Sequence, residues 1–572
     1  MRRPIRRAIA WSVCFVLLCV LAAHAQARKE RPPRPKLVVV LVVDQMRADY
    51  VERFRQQWTG GLRRLVERGA WFRQAAYPYL GTYTCAGHAT ISTGTFPATH
   101  GIIANNWWDR NSGKAVTCTE DPQAQTISYG ASLTGKVGES AWRLAVPTFA
   151  DELRAQSGEG SRVVTFSLKA RSAIMLAGHH ADATTWYDER TGAWVTSSAY
   201  SPSRVAFVER FLKAHPVEAD FGKSWTRALP EGAYLFPDAG LGEKPPPQWS
   251  STFPHVLKGT SDKPDAAFYK LWEESPFSDA YLGQMAQAAV DTLGLGKGRG
   301  TDFLGVSFTA LDYVGHDFGP FSQEVQDLLA CLDMTIGVLL DHLDRVVGGE
   351  NYVVALSADH GVAPIPEQMR RDGFDAGRVL NTQVIEQVEK ALEPLLGASR
   401  HVAMMEFTDI HLLPETYHKL QDNLKAMQKV TEAILSVPGV ARVLRGEDLR
   451  ERHLRGDPAV RAAQLSYFPG RSGELVVVPK PYWLLNNTVG GVLKSRATDH
   501  YSSYGYDQRV PLLVMGPGIG PGQYFSVATP ADIAPTLAFL CGITLARPDG
   551  RVLAEALEAA AVAQPARASS SR

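Results

Sequence analysis

Leu37 to Val43 reads LVVVLVV, seven consecutive apolar residues, and Asp44 follows at once. A strand with one wet face alternates apolar and polar residues. An unbroken β-branched run belongs instead to a strand covered on both faces, as in the middle of a mainly parallel sheet. Similar runs recur at Arg162–Phe166, Asp302–Phe308, Tyr352–Leu356 and Val510–Met515. Amphipathic helical stretches lie between them, among them Gly60–Arg68, Thr148–Gln156, Gln323–Val346 and Asn381–Leu396. Strands and helices alternating in this way predict an α/β fold. Two stretches break the rhythm, about 184–281, rich in Trp, Pro, Phe and Tyr, and about 365–487, and both are expected to be insertions over the edge of the sheet.

At 572 residues, one large domain carrying such insertions accounts for the length. A hydrophobic fraction of 45% with 21% charged residues excludes a disordered, collagen-like or coiled-coil chain. The beginning of the chain points out of the cytoplasm. Arg2, Arg3, Arg6 and Arg7 precede an apolar run from Ala8 to Ala22, and Ala23-His24-Ala25 is a small-x-small cleavage site. This predicts a signal peptide over residues 1–25, too short for a membrane span, and a periplasmic or secreted protein. Its removal takes the formal charge from +1 to −3 through the loss of four arginines, which argues against binding a nucleic-acid polymer by bulk charge. No other run is long and apolar enough to span a bilayer. Residues 26–36 form a basic, proline-rich spacer, 37–553 the main folded domain, and 554–572 an Ala/Ser-rich tail expected to fray. Oligomeric state is not legible.

Chemistry gathers where the strands end. Val43 is followed by Asp44, Phe308 by a segment containing Asp312 and His316, and Leu356 by Ser-Ala-Asp359-His360-Gly361. In open α/β sheets ligands bind beyond the carboxyl ends of the strands. His500 precedes the run Val510–Met515 in a Gly/Ser/Tyr-rich loop. Singly, each of these is an ordinary turn, cap or ion-pair residue. Together they place three carboxylates and three imidazoles on one edge, and two divalent metals would relieve the repulsion. Imidazole with carboxylate suits zinc.

Thr84 opens a helical segment after the turn at Pro78–Gly81. It reads either as a plain N-cap or as a hydroxyl set where backbone N–H groups favour negative charge. Asn105 and Asn106 offer amides to phosphoryl oxygens, and Lys169 and Arg171 are two residues apart just past a strand end, placed to point together at an anion. His88 reads as a packing residue. Cys85, Cys118, Cys331 and Cys541 follow the signal peptide and permit three pairings, none of which the spacing selects.

The segments VVVLVVDQMRADY, TYTCAGHATISTGTFPATHGIIANNWW, FSLKARSAIMLAG, LDYVGHDFGP, LSADHGV and RATDHYSSYGYDQRVPLLVMGPGI resemble the alkaline phosphatase superfamily, specifically its bacterial PafA-like branch, related to nucleotide pyrophosphatase/phosphodiesterases. The resemblance covers nearly the whole mature chain. It implies a three-layer sandwich in which the two insertions cap the site. It further implies two zinc ions, one on Asp312, His316 and His500, the other on Asp44, Asp359 and His360 with Thr84 Oγ. Thr84 would be the nucleophile of a covalent phospho-threonine, with Asn105, Lys169 and Arg171 on the non-bridging oxygens. The Lys/Arg pair, which the family's diesterases lack, favours phosphate monoesters as substrates, inorganic phosphate as product and weaker diesterase activity. The rivals are a phosphodiesterase or nucleotide pyrophosphatase, with Trp186, Tyr187 and Trp194 able to stack a nucleobase, and a non-catalytic zinc- or phosphate-binding protein. A sulfatase is disfavoured because Cys85 lacks the usual context for conversion to formylglycine. Cys85 then reads as a small residue packed behind the nucleophile.

Overall fold

The computed structural model describes residues 34–558, apart from 131–135, 158–159, 451–455, 487, 490–491 and 494–495. The signal peptide, the spacer up to residue 33 and the tail from 559 lie outside the described residues.

Eleven strands make one sheet: β1 (Leu37–Val43), β2 (Ala70–Ala75), β3 (Glu120–Ser128), β4 (Val137–Glu139), β5 (Val163–Ser167), β6 (Ala183–Asp188), β7 (Ala193–Ser197), β8 (Asp302–Phe308), β9 (Tyr352–Ser357), β10 (Leu512–Met515) and β11 (Gly522–Ala528). Their spatial order is β11-β2-β10-β9-β1-β8-β5-β6-β7-β3-β4. The middle five, β9 to β6, are parallel, with β1 between β9 and β8. The helices used below are α1 (Gly61–Arg68), α2 (Thr84–Thr93), α3 (Phe149–Ser157), α4 (Ala170–Ala177), α5 (Pro276–Leu293), α6 (Ala310–Phe318), α7 (Gln323–Val346) and α8 (Ile533–Cys541).

The opening heptad behaves as its composition requires. Leu37, Val39, Leu41 and Val43 pack into one apolar cluster with α1, α5 and α7, while Val38, Val40 and Val42 pack into another with α3 and α8. Successive side chains of a strand leave opposite faces, so a strand between two helical layers must be apolar throughout. This is the expected three-layer arrangement with a mainly parallel centre.

Register aligns the strand ends. Val42 stands opposite Ser307 on one side and Ser357 on the other, and Ser307 stands opposite Ser167. The residues after β1, β5, β8 and β9 therefore emerge along one edge. β10 runs antiparallel to β9, with Leu512 opposite Ser357, so the loop before β10, which carries His500, arrives at the same edge.

The stretch from about 184, expected to lie outside the sheet, begins within it. β6 and β7 are two of its strands, and Trp186, Tyr187 and Trp194 are 5%, 5% and 3% exposed. Tyr187 packs on Trp194 with ring centroids 5.6 Å apart. These rings are core and present no face to a nucleobase. Burial on both sides removed the polar alternation that would have marked the strands. The 365–487 stretch builds a separate four-stranded antiparallel sheet (Val402–Glu406, Asp409–Leu412, Leu475–Pro479 and Val440–Arg445, in that spatial order). Helices Asn381–Leu396 and Leu424–Leu435 cover it around a core of its own. Among the described residues, no helix is long and apolar enough to cross a membrane.

Candidate active site

Asp44 follows β1 directly, and the next residue, Gln45, turns the chain with φ +69. That costly backbone sets the Gln45 N–H on Asp359 Oδ1 (3.0 Å) and its side-chain amide on Asp312 Oδ1 (2.7 Å). One residue thus joins the ends of β1, β8 and β9. Helix α6, which carries Asp312 and His316, is anchored at its start by the buried Asp279, whose Oδ1 accepts from Thr309 N (3.0 Å) and Ala310 N (3.3 Å). Gly87 lets α2 approach: a Cβ there would lie 2.2 Å from the Asp359 carbonyl oxygen.

Thr84 is the first residue of α2, and the N-cap is Tyr83, so Thr84 is no plain cap. Its Oγ1 lies 3.3 Å from His360 Nε2. The three expected ligand histidines share one device. His316 Nδ1 donates to Thr498 O (2.9 Å), His360 Nδ1 to Gly361 O (3.0 Å) and His500 Nδ1 to Thr82 O (2.5 Å). A carbonyl only accepts, so each Nδ1 carries a hydrogen, which leaves Nε2 as the nitrogen each ring can offer to a metal. Ligand atoms of Asp312, His316 and His500 lie within 4.8 Å of one another, and so do those of Asp44, Asp312 and His360. Asp359 Oδ2 is 3.3 Å from His360 Nε2.

These residues fit metal ions. Asp44 Oδ1 and Asp359 Oδ2 are buried without a hydrogen-bond partner. Burial pushes the Asp44 carboxyl well above the usual carboxylate range, and neighbouring Asp359 pushes the same way. Burial pushes the His500 imidazole well below its ordinary value, aided by His360 and His316, and lowers His360 against the opposing pull of Asp359. For Asp312 burial also acts upward, but Lys169 and His316 outweigh it and hold the carboxyl low. Imidazoles whose Nδ1 is tied to backbone carbonyls, beside buried, unbonded carboxylate oxygens, form a donor set for divalent cations.

The two expected phosphate cations part company. Lys169 is 4% exposed, with Nζ 2.7 Å from Asp44 Oδ2 and 2.5 Å from Asp312 Oδ2. Arg171, two residues further and inside α4, lines a cavity of about 370 Å³ together with Thr84, Asn105, Asn106, Tyr313 and His500. Lys169 precedes the first turn of α4, so the strand-like alternation expected of the pair does not extend to Arg171. Asn105 accepts from Cys85 N through Oδ1 (2.9 Å), leaving its N–H donors as the part that can address the cavity. Asn106 donates to Glu406 instead (3.1 Å). His88 packs behind the site, with Nδ1 2.8 Å from Thr84 O and 3.4 Å from Asp359 Oδ2.

Sequence reasoning missed several neighbours. Asp499 accepts from His500 N (3.2 Å) and lies 3.5 Å from His316 Nδ1. A signal existed, since Asp499-His500 repeats the Asp359-His360 pair. Arg496, 3.9 Å from Asp499, also lines the cavity, as do Glu406 and Phe407.

Cys85, expected as a mere packing residue, is bonded to Cys118, while Cys331 and Cys541 are free. Cys118 N also donates to Asn105 O (2.9 Å), so the bridge ties α2 to the segment bearing Asn105. The closed loop spans 33 residues, and loop-closure entropy makes such a bridge worth about 3–4 kcal/mol. Cys118→Ala is expected to lower unfolding free energy by about that amount. Urea unfolding with and without reductant checks this; an unchanged midpoint would show that the bridge constrains nothing.

Residues 38–507 match the sequence model of the type I phosphodiesterase / nucleotide pyrophosphatase family. The chain belongs to this family. Within it, the chain is 32% identical over 532 residues to alkaline phosphatase PafA of Elizabethkingia meningoseptica, covering 91% of this chain and 93% of that one. It is 30% identical over 564 residues to alkaline phosphatase PhoV of Synechococcus elongatus, covering 94% and 98%. The crystal structure of wild-type PafA superposes with a TM-score of 0.83 at 31% identity, over 92% of this chain and all (100%) of that one. Murine ectonucleotide pyrophosphatase/phosphodiesterase 5, at 14% identity and a TM-score of 0.52, shares the fold. Membership in the family and full-length likeness to alkaline phosphatases make the chain a phosphoric monoester hydrolase with phosphodiesterase kin.

Proposed function

We propose that this monoester hydrolase is exported and works through a covalent phospho-threonine at Thr84, with two zinc ions. The observation that carries the reading is the convergence of three Nε2 nitrogens, each ring fixed by a backbone carbonyl, with buried carboxylates beside Thr84 Oγ1. Asp312, His316 and His500 would hold one zinc, and Asp44, Asp359 and His360, with Thr84, the other. Zinc would supply Lewis-acid stabilisation of the threonine oxygen and of the leaving oxygen.

The remaining work falls to the chain. Thr84 Oγ1 attacks phosphorus, the Oγ1–P bond forms, and the ester P–O bond breaks on the opposite side. The leaving alcohol takes up one proton as the threonine hydroxyl gives up one. Water then attacks that phosphorus, the Oγ1–P bond breaks, and a proton from the water restores the threonine hydroxyl as inorganic phosphate leaves. Asn105 N–H donors and the Arg171 guanidinium, both lining the cavity, would hold the non-bridging oxygens where charge must be stabilised. A solved PafA variant is altered at a Thr, an Asn, a Lys and an Arg, the residue types and the Thr-to-Asn and Lys-to-Arg spacings of Thr84, Asn105, Lys169 and Arg171. The Cys85–Cys118 bridge supports an oxidising compartment and hence export.

The test is kcat/KM of the zinc-loaded protein on an aryl phosphate and on its methyl aryl diester. A monoester preference of about a hundredfold, worth about 2.7 kcal/mol in the transition state, is expected. The reverse preference would assign the chain to the diesterases. Turnover of neither would leave a binding protein.

A further inference from the structure

Four non-glycine residues among those described have a left-handed φ, and three of them surround this site: Gln45 (+69), Tyr501 (+87) and Phe407 (+46). Backbone of that kind costs free energy in a bulky residue and persists where the surroundings enforce it, most often at a ligand site. Gln45 has its explanation in the carboxylates it bridges. Tyr501 and Phe407 have none in the chemistry so far.

Their rings supply one. His360 stacks on His500 with centroids 3.6 Å apart, His500 lies 3.9 Å from Tyr501, and Tyr501 stacks on Phe407 at 3.6 Å. A column of four rings thus runs from the ligand histidines into the insertion. Phe407 sits at the tip of the hairpin joining Val402–Glu406 to Asp409–Leu412. The tip is held against the nucleophile's own turn: the Tyr83 hydroxyl reaches Glu406 O (3.4 Å) and Thr408 Oγ1 (3.2 Å), and Glu406 accepts from Asn106 (3.1 Å). Phe407, only half-buried, and Tyr501 both line the cavity that Thr84 opens into.

In-line displacement sends the leaving oxygen away from Thr84. His360 is the histidine that touches Thr84 Oγ1. His500 belongs to the other ligand group, and the rings of Tyr501 and Phe407 continue outward from it. Resting on the phosphomonoesterase reading, we infer that Phe407, backed by Tyr501, is the leaving-group wall, and that it selects monoesters with a flat aromatic leaving group, aryl or nucleoside, over alkyl phosphates. A ring fixed by a stacked neighbour gives such a group a preorganised face, and a cavity of about 370 Å³ is within the size range of small-molecule sites. Glu406 beside it sets a carboxylate against leaving groups that carry further negative charge.

The test compares the zinc-loaded wild type with Phe407→Ala and Phe407→Leu on phenyl phosphate and methyl phosphate, and measures calorimetric binding of phenylphosphonate and methylphosphonate, which are not hydrolysed. With Phe407→Ala, the KM for phenyl phosphate is expected to rise about tenfold while the methyl ester changes by less than about threefold, in keeping with the loss of one aromatic stack. Phenylphosphonate affinity should fall in parallel, and Phe407→Leu should recover only the part that does not need a flat ring. Equal losses on both esters, or a fall in zinc content that accounts for the loss, would overturn the assignment and reduce Phe407 to a prop for His500. Wild type that binds phenylphosphonate no better than methylphosphonate would overturn it as well. Failure of the parent reading shows separately, as wild-type preference for a diester over its monoester.

Discussion

Thr84→Ala is expected to lower turnover of an aryl phosphate by a factor on the order of 10⁴ or more, the scale of loss when a covalent nucleophile is removed. On the proposed two-zinc reading, zinc content should stay as in the wild type. The substitution deletes one hydroxyl and one methyl group from a site otherwise built by side chains from β1, α6, the turn after β9 and the His500 loop. The carboxylates and imidazoles keep their fixings: Gln45 still bridges Asp359 and Asp312, and the three Nδ1–H groups still bond their carbonyls. Thr84→Ser, which keeps the hydroxyl, should retain most of the activity. Stopped reactions of the wild type analysed by intact mass should show one added phosphoryl group, absent from Thr84→Ala. Substantial activity in the alanine variant would mean that water attacks the ester directly, and the covalent route would be wrong.

The second large effect concerns substrate charge. Lys169→Ala combined with Arg171→Ala is expected to cut kcat/KM for a monoester about a thousandfold, and for the matching methyl diester less than about tenfold. A monoester dianion gains from two cations on its free oxygens, and each charge-assisted contact contributes about 1.5–3 kcal/mol. A diester carries one charge and has a substituent where the other contact would be. The single variants divide the effect. Arg171 already lines the cavity, so Arg171→Ala should act on the substrate alone. Lys169 bridges Asp44 and Asp312, so Lys169→Ala should also alter zinc affinity, and metal content must be measured beside kinetics. Equal losses on both ester types would mean that the two cations are not contacts of the monoester's free oxygens.

Much of this was legible because the strands announce themselves. Leu37–Val43 could only be an inner strand, and an Asp directly after it could only stand at the carboxyl edge, where β8 and β9 deliver Asp312, His316, Asp359 and His360. His500 was legible from its place before an apolar run, although its arrival at that edge depends on β10 being antiparallel, which no local pattern encodes. Other features depend on distance in sequence. The hairpin tip at Glu406 meets Tyr83 across 323 residues, and nothing within either segment names the other. The Cys85–Cys118 bridge was one of three possibilities until the fold chose it. The strands β6 and β7 were hidden because double burial erases the alternation that marks a half-exposed strand. Lys169 was found by residue type, but its seat was not, because a lysine's long stem reaches several places from one backbone position.

That seat bears on the order of assembly. Three buried aspartates within reach of one another would resist being gathered into a dry interior without a cation. The Lys169 ammonium meets two of them, so the chain brings its own counter-ion and can close its fold before any metal arrives. If metal binds as proposed, loading would be an exchange: a divalent ion entering between Asp44 and Asp312 would displace an ammonium instead of filling a hole. On the proposed reading, the displaced ammonium would be free to meet the phosphoryl oxygens. A half-matured protein would lack its metal and its second anchor for the dianion together, so the two capacities would be switched on by a single event.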